Sequence, residues 1–314
     1  MAGDSKKTVC IALAANVVVG AVKFVGAALT GSAALFAEGA QSVSDTLNEV
    51  FLLTSLVRSD RPPDRRHQFG YGMERFFWSL LAAVGILVGG AGFSGIEAYR
   101  AFTSHSAPGP RYYLIAYASL GLVLLAEGTS WVRAVRQVRR EAHRAGRGLV
   151  EHIRLSSDPS VKTVAGEDSV AMIGVVVAGA GIGLHQLTGV GWWEGVASAV
   201  IAGLLVVTAV LLGRDVKGLL IGEAVHPQLN RQLHEFLSAH PAVDRVVDLR
   251  TMQIGADKVL LAARVDLGSA LNSDEVELAS ADIDRGINQR WPEVTDVFLD
   301  ATRTDEPVRD PTVA

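Results

Sequence analysis

The sequence predicts a membrane all-α six-helix bundle followed by a small cytoplasmic α+β domain of the ferredoxin-like type. Three observations predict it. Apolar residues make up 49% of the 314 positions, and nearly all the long apolar runs fall within residues 1–221. The basic residues between those runs are concentrated in alternate loops. From Gly222 onward the composition changes: 17 Asp and Glu face 9 Lys and Arg, a local charge of −8 within a whole-chain charge of −4. The expected division is therefore a membrane domain over 1–221, a soluble domain over 222–303 and a disordered end over 304–314, rich in Thr, Asp, Pro and Arg. The chain lacks the strong basicity of a nucleic-acid binder. A single cysteine, Cys10, excludes a disulfide or a thiolate metal cluster within one chain.

Each span follows from length. Crossing about 30 Å of hydrocarbon at 1.5 Å per residue takes about 20 mainly apolar residues. Six segments meet this, near 8–30, 33–57, 75–98, 112–134, 164–186 and 191–213. The first begins after Lys6 and Lys7 but runs far past a signal-peptide core and offers no small-residue cleavage site, so it reads as retained. Arg58, Arg61, Arg65, Arg66 and Arg75 flank the second loop, and a basic run fills the fourth over 135–163. Arg100 and Arg111 are the basic residues at the Pro-rich loop 103–111 on the opposite side. Because Lys and Arg stay on the cytoplasmic side, both termini are expected there.

The tail reads as α-β-β-α-β. Leu229, Leu233, Phe236 and Leu237 have helical spacing, and His240-Pro241 stops that helix. Residues 243–252 and 258–267 read as two strands about a Gly255-containing turn, 273–290 as a helix, and 295–299 as a last strand. Two helices over one face of an antiparallel sheet is the expected arrangement. No Gly-rich phosphate loop or nucleophile elbow is present, which fits an assembly or regulatory module.

An ionisable group within a span is a functional candidate, because burying it in lipid costs several kcal/mol unless it faces protein or water. The second span carries Glu38, Gln41, Ser42, Asp45, Asn48 and Glu49, which form one polar stripe on an apolar helix. The fifth begins with Glu167 and Asp168. Oxygen donors converging from two helices suit a divalent cation. Glu97, Glu127 and Glu194 lie near span ends and read as snorkelling or capping residues, and His185 as interfacial. Lys23 has two readings, pairing with a carboxylate or snorkelling.

The local sequence then resembles a known family. Thr30-Gly31-Ser32-Ala33-Ala34-Leu35-Phe36-Ala37-Glu38, with Gln41-Ser42-Val43-Ser44-Asp45-Thr46-Leu47-Asn48, is similar to the second-helix motif of the cation diffusion facilitator (cation efflux) family. His67-Gln68-Phe69-Gly70-Tyr71-Gly72 resembles that family's next cytoplasmic signature, and Asp248-Leu249-Arg250-Thr251 its first tail strand. Glu74-Arg75-Phe76-Phe77-Trp78 and Ala126-Glu127-Gly128 are similar to the branch that includes the human zinc transporter nine. The resemblance implies homodimeric, proton-coupled export of zinc, or of manganese, iron, cobalt or cadmium, with the metal as cargo and no cofactor. By position its ligands fall at Gln41, Asp45, Val164 and Asp168. Gln41, in place of the usual His or Asp, and the non-liganding Val164 both depart from the pattern; Glu167 is expected to supply the missing charge, with Glu38 assisting. In the tail, the positions resembling regulatory ligands hold Val247, Ala263 and Asp300, so a histidine-based binuclear site is not expected. The expected location is a bacterial cell membrane. The competing readings are a transport-inactive scaffold or metal sensor, favoured by Val164, and an integral-membrane enzyme. The enzyme reading lacks a nucleophile and base or a His-Glu-x-x-His motif.

Overall fold

The computed structural model describes residues 2–103, 111–144, 159–268 and 271–302. Residues 104–110 of the Pro-rich loop, 145–158 of the basic loop, the 304–314 end and the side chains of Val164, Glu167 and Asp168 lie outside the described residues. Among the described residues six long helices come first: α1 (Ala2–Thr30), α2 (Ala33–Ser59), α3 (Glu74–Thr103), α4 (Tyr112–Arg144), α5 (Pro159–Thr188) and α6 (Trp192–Leu220). Five of them, all but α2, contain stretches long and apolar enough to cross a membrane. The remaining helix, α2, is 27 residues long, about 40 Å, but its polar stripe lowers its hydropathy. The middle of α3, Ile86–Ala91, is π-helical. Most ends overrun the expected spans, since a helix continues beyond the hydrocarbon for as long as its backbone has no better partner.

The connections are local chemistry. Gly31 has φ +73°, a left-handed conformation that costs glycine nothing, and its N–H closes α1 on Ala27 O at 2.6 Å. Ser32 then caps α2, its hydroxyl accepting from the Leu35 N–H at 3.4 Å. Gly189, φ +70°, ends α5 in the same way, with its N–H on His185 O.

The chain divides into two compact units. The first comprises Met1–Leu53 and Leu81–Gly213. Its interior is built largely of small side chains, including Ala27, Ala34, Ala37, Ala178 and Ala197, interleaved with Ile182 and Ile201, which lets backbones approach closely. Its outer surface is apolar: Leu114, Val88 and Leu29 are 73%, 69% and 66% exposed. Such a surface suits hydrocarbon, not water.

The second unit comprises Thr54–Leu80 and Arg214–Ala314. It holds α7 (Pro227–Ser238), β1 (Val243–Gly255), β2 (Lys258–Leu267), α8 (Ser273–Arg290) and β3 (Val294–Ala301), which is the α-β-β-α-β order the alternation predicts. The sheet is not antiparallel throughout. Its order is β1-β2-β3, with β1/β2 antiparallel and β2/β3 parallel. The tight turn after β1 reverses the chain, whereas the α8 crossover carries it back to the end where β2 began, so β3 runs alongside β2. Val259, Leu261, Ala263 and Val265 alternate into a core with Leu233 and Leu237 of α7 and Ile283 and Ile287 of α8. A capping box between Asn272 and Glu275 starts α8.

The loop between α2 and α3 belongs to this second unit. Asp64 organises it, accepting from the backbone N–H of Arg66 and His67 at 2.8 and 2.7 Å and from the Tyr71 hydroxyl at 2.7 Å. These donors, Tyr71 foremost, hold the Asp64 carboxyl below the usual carboxylate range. Phe69 packs edge-on against Phe298 of β3 at 6.3 Å. Gly72 lies so close to the β1–β2 turn that an added Cβ would sit 2.4 Å from Ile254 O. The His67–Gly72 signature thus docks the loop on the sheet.

Candidate functional site

The face of α2 that carries the stripe is turned inward. Glu38 is fully buried, Gln41 and Ser42 are nearly so, and Asp45, Asn48 and Glu49 are half-buried. Helical periodicity brings these groups to one face, and small residues on neighbouring helices admit them. Gly90, in the π-helical turn of α3, approaches Ser44 so closely that a Cβ there would meet the Ser44 hydroxyl. On α5, a Cβ at Gly174 would lie 2.4 Å from Glu38 Oε1 and 2.9 Å from Gln41 Oε1. Glu38 and Gln41 of the stripe therefore face α5 at Gly174.

Buried charge on this face is compensated. Lys23 of α1 is fully buried and its Nζ lies 2.8 Å from Glu38 Oε2 and 2.8 Å from Glu127 Oε1 of α4. Of the two readings of Lys23, pairing holds, and one ammonium ties together α1, α2 and α4. Glu127 is a partner in this network and not a snorkelling group. Farther along α2, Asn16 of α1 donates to Glu49 Oε1 at 3.0 Å.

The expected ligands stand as follows. Glu38 and Gln41 are side by side and face α5. Asp45 lies one turn farther along α2, half-buried. Glu167 and Asp168 lie in α5, one to two turns before Gly174. Among the described residues no three of His, Cys, Asp and Glu converge as a metal-binding group. In the tail, Val247 and Ala263 are core residues, and Asp300 pairs with Arg264 at 2.8 Å.

A second buried polar cluster escaped the sequence reading. His185, expected at the interface, is 5% exposed, and Glu194 in the first turn of α6 is 3% exposed. Glu194 Oε1 lies 2.6 Å from His185 Nδ1 and accepts from the Tyr112 hydroxyl, while Oε2 accepts from the Ser32 hydroxyl. The missed signal was the turn: Gly189–Gly191 folds the C-terminal end of α5 onto the N-terminal end of α6, where a histidine and a glutamate each complement the helix dipole. Glu97 is 6% exposed and pairs with Arg100 at 2.7 Å.

Comparison with known proteins places this geometry. Residues 9–221 match the cation efflux transmembrane domain. The proton-coupled zinc antiporter SLC30A9, mitochondrial, of Xenopus laevis is 32% identical over 285 residues, covering 90% of this chain and 50% of that protein. The human protein of that name is 30% identical over 299 residues, 93% of this chain and 52% of its own. The manganese efflux system protein MneP of Bacillus subtilis is 26% identical over 297 residues, 94% of this chain and 95% of its own. The chain thus spans about half the length of the zinc antiporters it matches. With most of its membrane unit matched, and with a polar α2 set against α5, this chain belongs to the cation efflux family, whose members are membrane transporters and not enzymes.

Proposed function

We propose that this chain exports a divalent metal cation, zinc in exchange for protons, by alternating access through a carboxylate site between α2 and α5. The donors are Asp45, Asp168 and Gln41, with Glu167 and Glu38 adding charge. The observation that carries this reading is the close approach of Gly174 to Glu38 and Gln41. The two helices run in opposite directions, since Ser32 at the start of α2 and His185 near the end of α5 both meet Glu194. Six residues back from Gly174 along α5 is Asp168. The same axial step along α2, about 9 Å from the level between Glu38 and Gln41, reaches Asp45. Positions 45 and 168 then fall at the same level along the two helix axes, which supports a shared site.

The chemistry follows. Protonating a carboxylate removes both a charge and a ligand lone pair, so metal and protons compete for the same oxygens. Glu38 already has Lys23 at 2.8 Å and reaches a metal only by giving up that partner. The relatives' names support zinc, and MneP keeps manganese open as cargo. In this reading all six long helices span the membrane and the tail is a ferredoxin-like assembly module. The transporter is a homodimer with both termini on the cytoplasmic side. A bacterial cell membrane is supported by the full-length match to the Bacillus subtilis protein.

The test is metal uptake into proteoliposomes under an imposed pH gradient, with zinc, manganese, iron(II), cobalt and cadmium in parallel. Wild type is expected to carry at least one metal, and Asp45→Ala and Asp168→Ala to abolish that flux. Metal-driven proton movement that persists in either variant overturns the site.

A further inference from the structure

The Ser32, Tyr112, His185 and Glu194 cluster lies apart from the proposed metal site. Ser32 precedes Asp45 by thirteen residues of α2, about 20 Å along the axis. The cluster sits at the end of the bundle where the α1–α2 and α5–α6 turns are found. A permanent structural pin would need only fixed donors, yet this carboxylate is given a titratable one.

The hydrogen-bond inventory defines what the cluster does. With Nδ1 and Oε1 2.6 Å apart, one proton lies between them. An ionised Glu194 accepts from all three neighbours at once. A neutral Glu194 has a proton of its own to place, so one of those neighbours must turn from donor to acceptor. Ser32 and Tyr112 can do so, but they hold the proton inside. His185 alone has a second nitrogen on the far side of its ring. That edge faces the α5–α6 turn: a Cβ at Gly191 would lie 3.6 Å from Nε2, and Gly189, Val190 and Trp192 of the turn are exposed. The buried ring therefore lies between a buried carboxylate and an exposed turn.

The other titratable groups around the pair are few. Tyr112 and Tyr113 of α4 flank the imidazole edge-on at 5.7 and 5.8 Å. The segment of α3 that packs against the start of α6, through Phe102 at Gly195, carries Glu97, which Arg100 holds at 2.7 Å. Among the described residues, no lysine or arginine pairs with Glu194, in contrast to Glu38.

We propose that Glu194 and His185 form a proton-binding site that exchanges protons with the side on which the α1–α2 and α5–α6 turns lie, through the His185 ring and the Gly189–Gly191 turn. A proton arriving at Nε2 makes the imidazolium. The Nδ1 proton then passes to Glu194 Oε1, leaving a neutral carboxylic acid and a neutral imidazole, with no other reactant needed. Because Oε2 is bonded to Ser32 at the start of α2 and Oε1 to His185 near the end of α5, the proton count at Glu194 bears on the two helices that carry the metal ligands. The inference rests on metal–proton exchange as the function, and it names where one proton is bound.

Two measurements on the full chain separate this inference from that function. Infrared difference spectra of purified protein, recorded between mildly alkaline and mildly acidic solution, are expected to show a carboxylic-acid band. Glu194→Gln should abolish it and His185→Asn should displace it. In proteoliposomes, His185→Asn keeps a donor toward Glu194 but cannot titrate, so metal flux is expected to persist while losing its dependence on pH at the outer face. An unchanged band in Glu194→Gln overturns the proton site, as does an unchanged pH profile in a well-folded His185→Asn protein. Absence of metal flux in wild type would count against the transport reading alone, and the infrared result would still decide the proton site.

Discussion

Glu38 and Glu194 are both buried carboxylates in the first unit, and the structure treats them in opposite ways. Glu38 is paired with Lys23, and the same ammonium serves Glu127. Glu194 is held by hydroxyls and an imidazole, groups able to change role from donor to acceptor. Burial alone does not tell which carboxylate is structural and which is mobile in its protonation. The partner does.

The comparison can be broken most forcefully at Lys23. Lys23→Met leaves two carboxylates in the bundle without their counter-charge, and removing one partner of a buried pair costs about 3–5 kcal/mol. The expected outcome is a large fall in thermal stability in detergent, partly restored when Glu38→Gln is added. A Lys23→Met protein as stable as wild type would place Glu38 in the same class as Glu194. A smaller effect is expected from Tyr112→Phe, which removes one hydroxyl from a carboxylate that keeps Ser32 and His185. A hydrogen bond to a charged group is worth about 1.5–3 kcal/mol, so the melting shift should be smaller than that of Lys23→Met.

Asp64 is the surface control, a carboxylate with three donors and full solvent access. Its folded pKa lies below the ordinary value of 3.8, so it stabilises the loop above that value, and the contribution is lost as pH falls through the lower, folded pKa. Hydrogen exchange of the Arg66 and His67 amides should therefore rise only in strongly acidic solution. Asp64→Asn should expose the same amides at neutral pH while leaving the melting temperature nearly unchanged.

Much of the architecture was legible because it depends on local periodicity. Apolar length marked the long helices, and alternation along residues 243–267 marked two strands. The stripe on α2 was legible by its 3.6-residue repeat. Strand direction was not, because Thr295–Leu299 has the same alternation whichever way it runs, and the α8 crossover decides the pairing. The partners of Lys23 were equally hidden: Glu127 lies on α4, and no spacing along the chain links it to α1. His185 and Glu194 were separated by a turn that breaks helical phase, so neither belonged to a visible stripe. The signature at His67–Gly72 was readable as a motif, but its packing on the β1–β2 turn was not.

The close approach at Gly174 has a genetic consequence. Every replacement of glycine adds a Cβ, and here it would collide with Glu38 Oε1. A flexible glutamate would ordinarily swing aside, but this one is fastened to Lys23, which is itself fastened to Glu127. The intolerance of position 174 is thus inherited from two other helices, and the order of mutations matters. A change at 174 is harmful while the ammonium network is intact and becomes milder once Lys23 or Glu38 has already changed, so α1, α2 and α5 are bound to vary together.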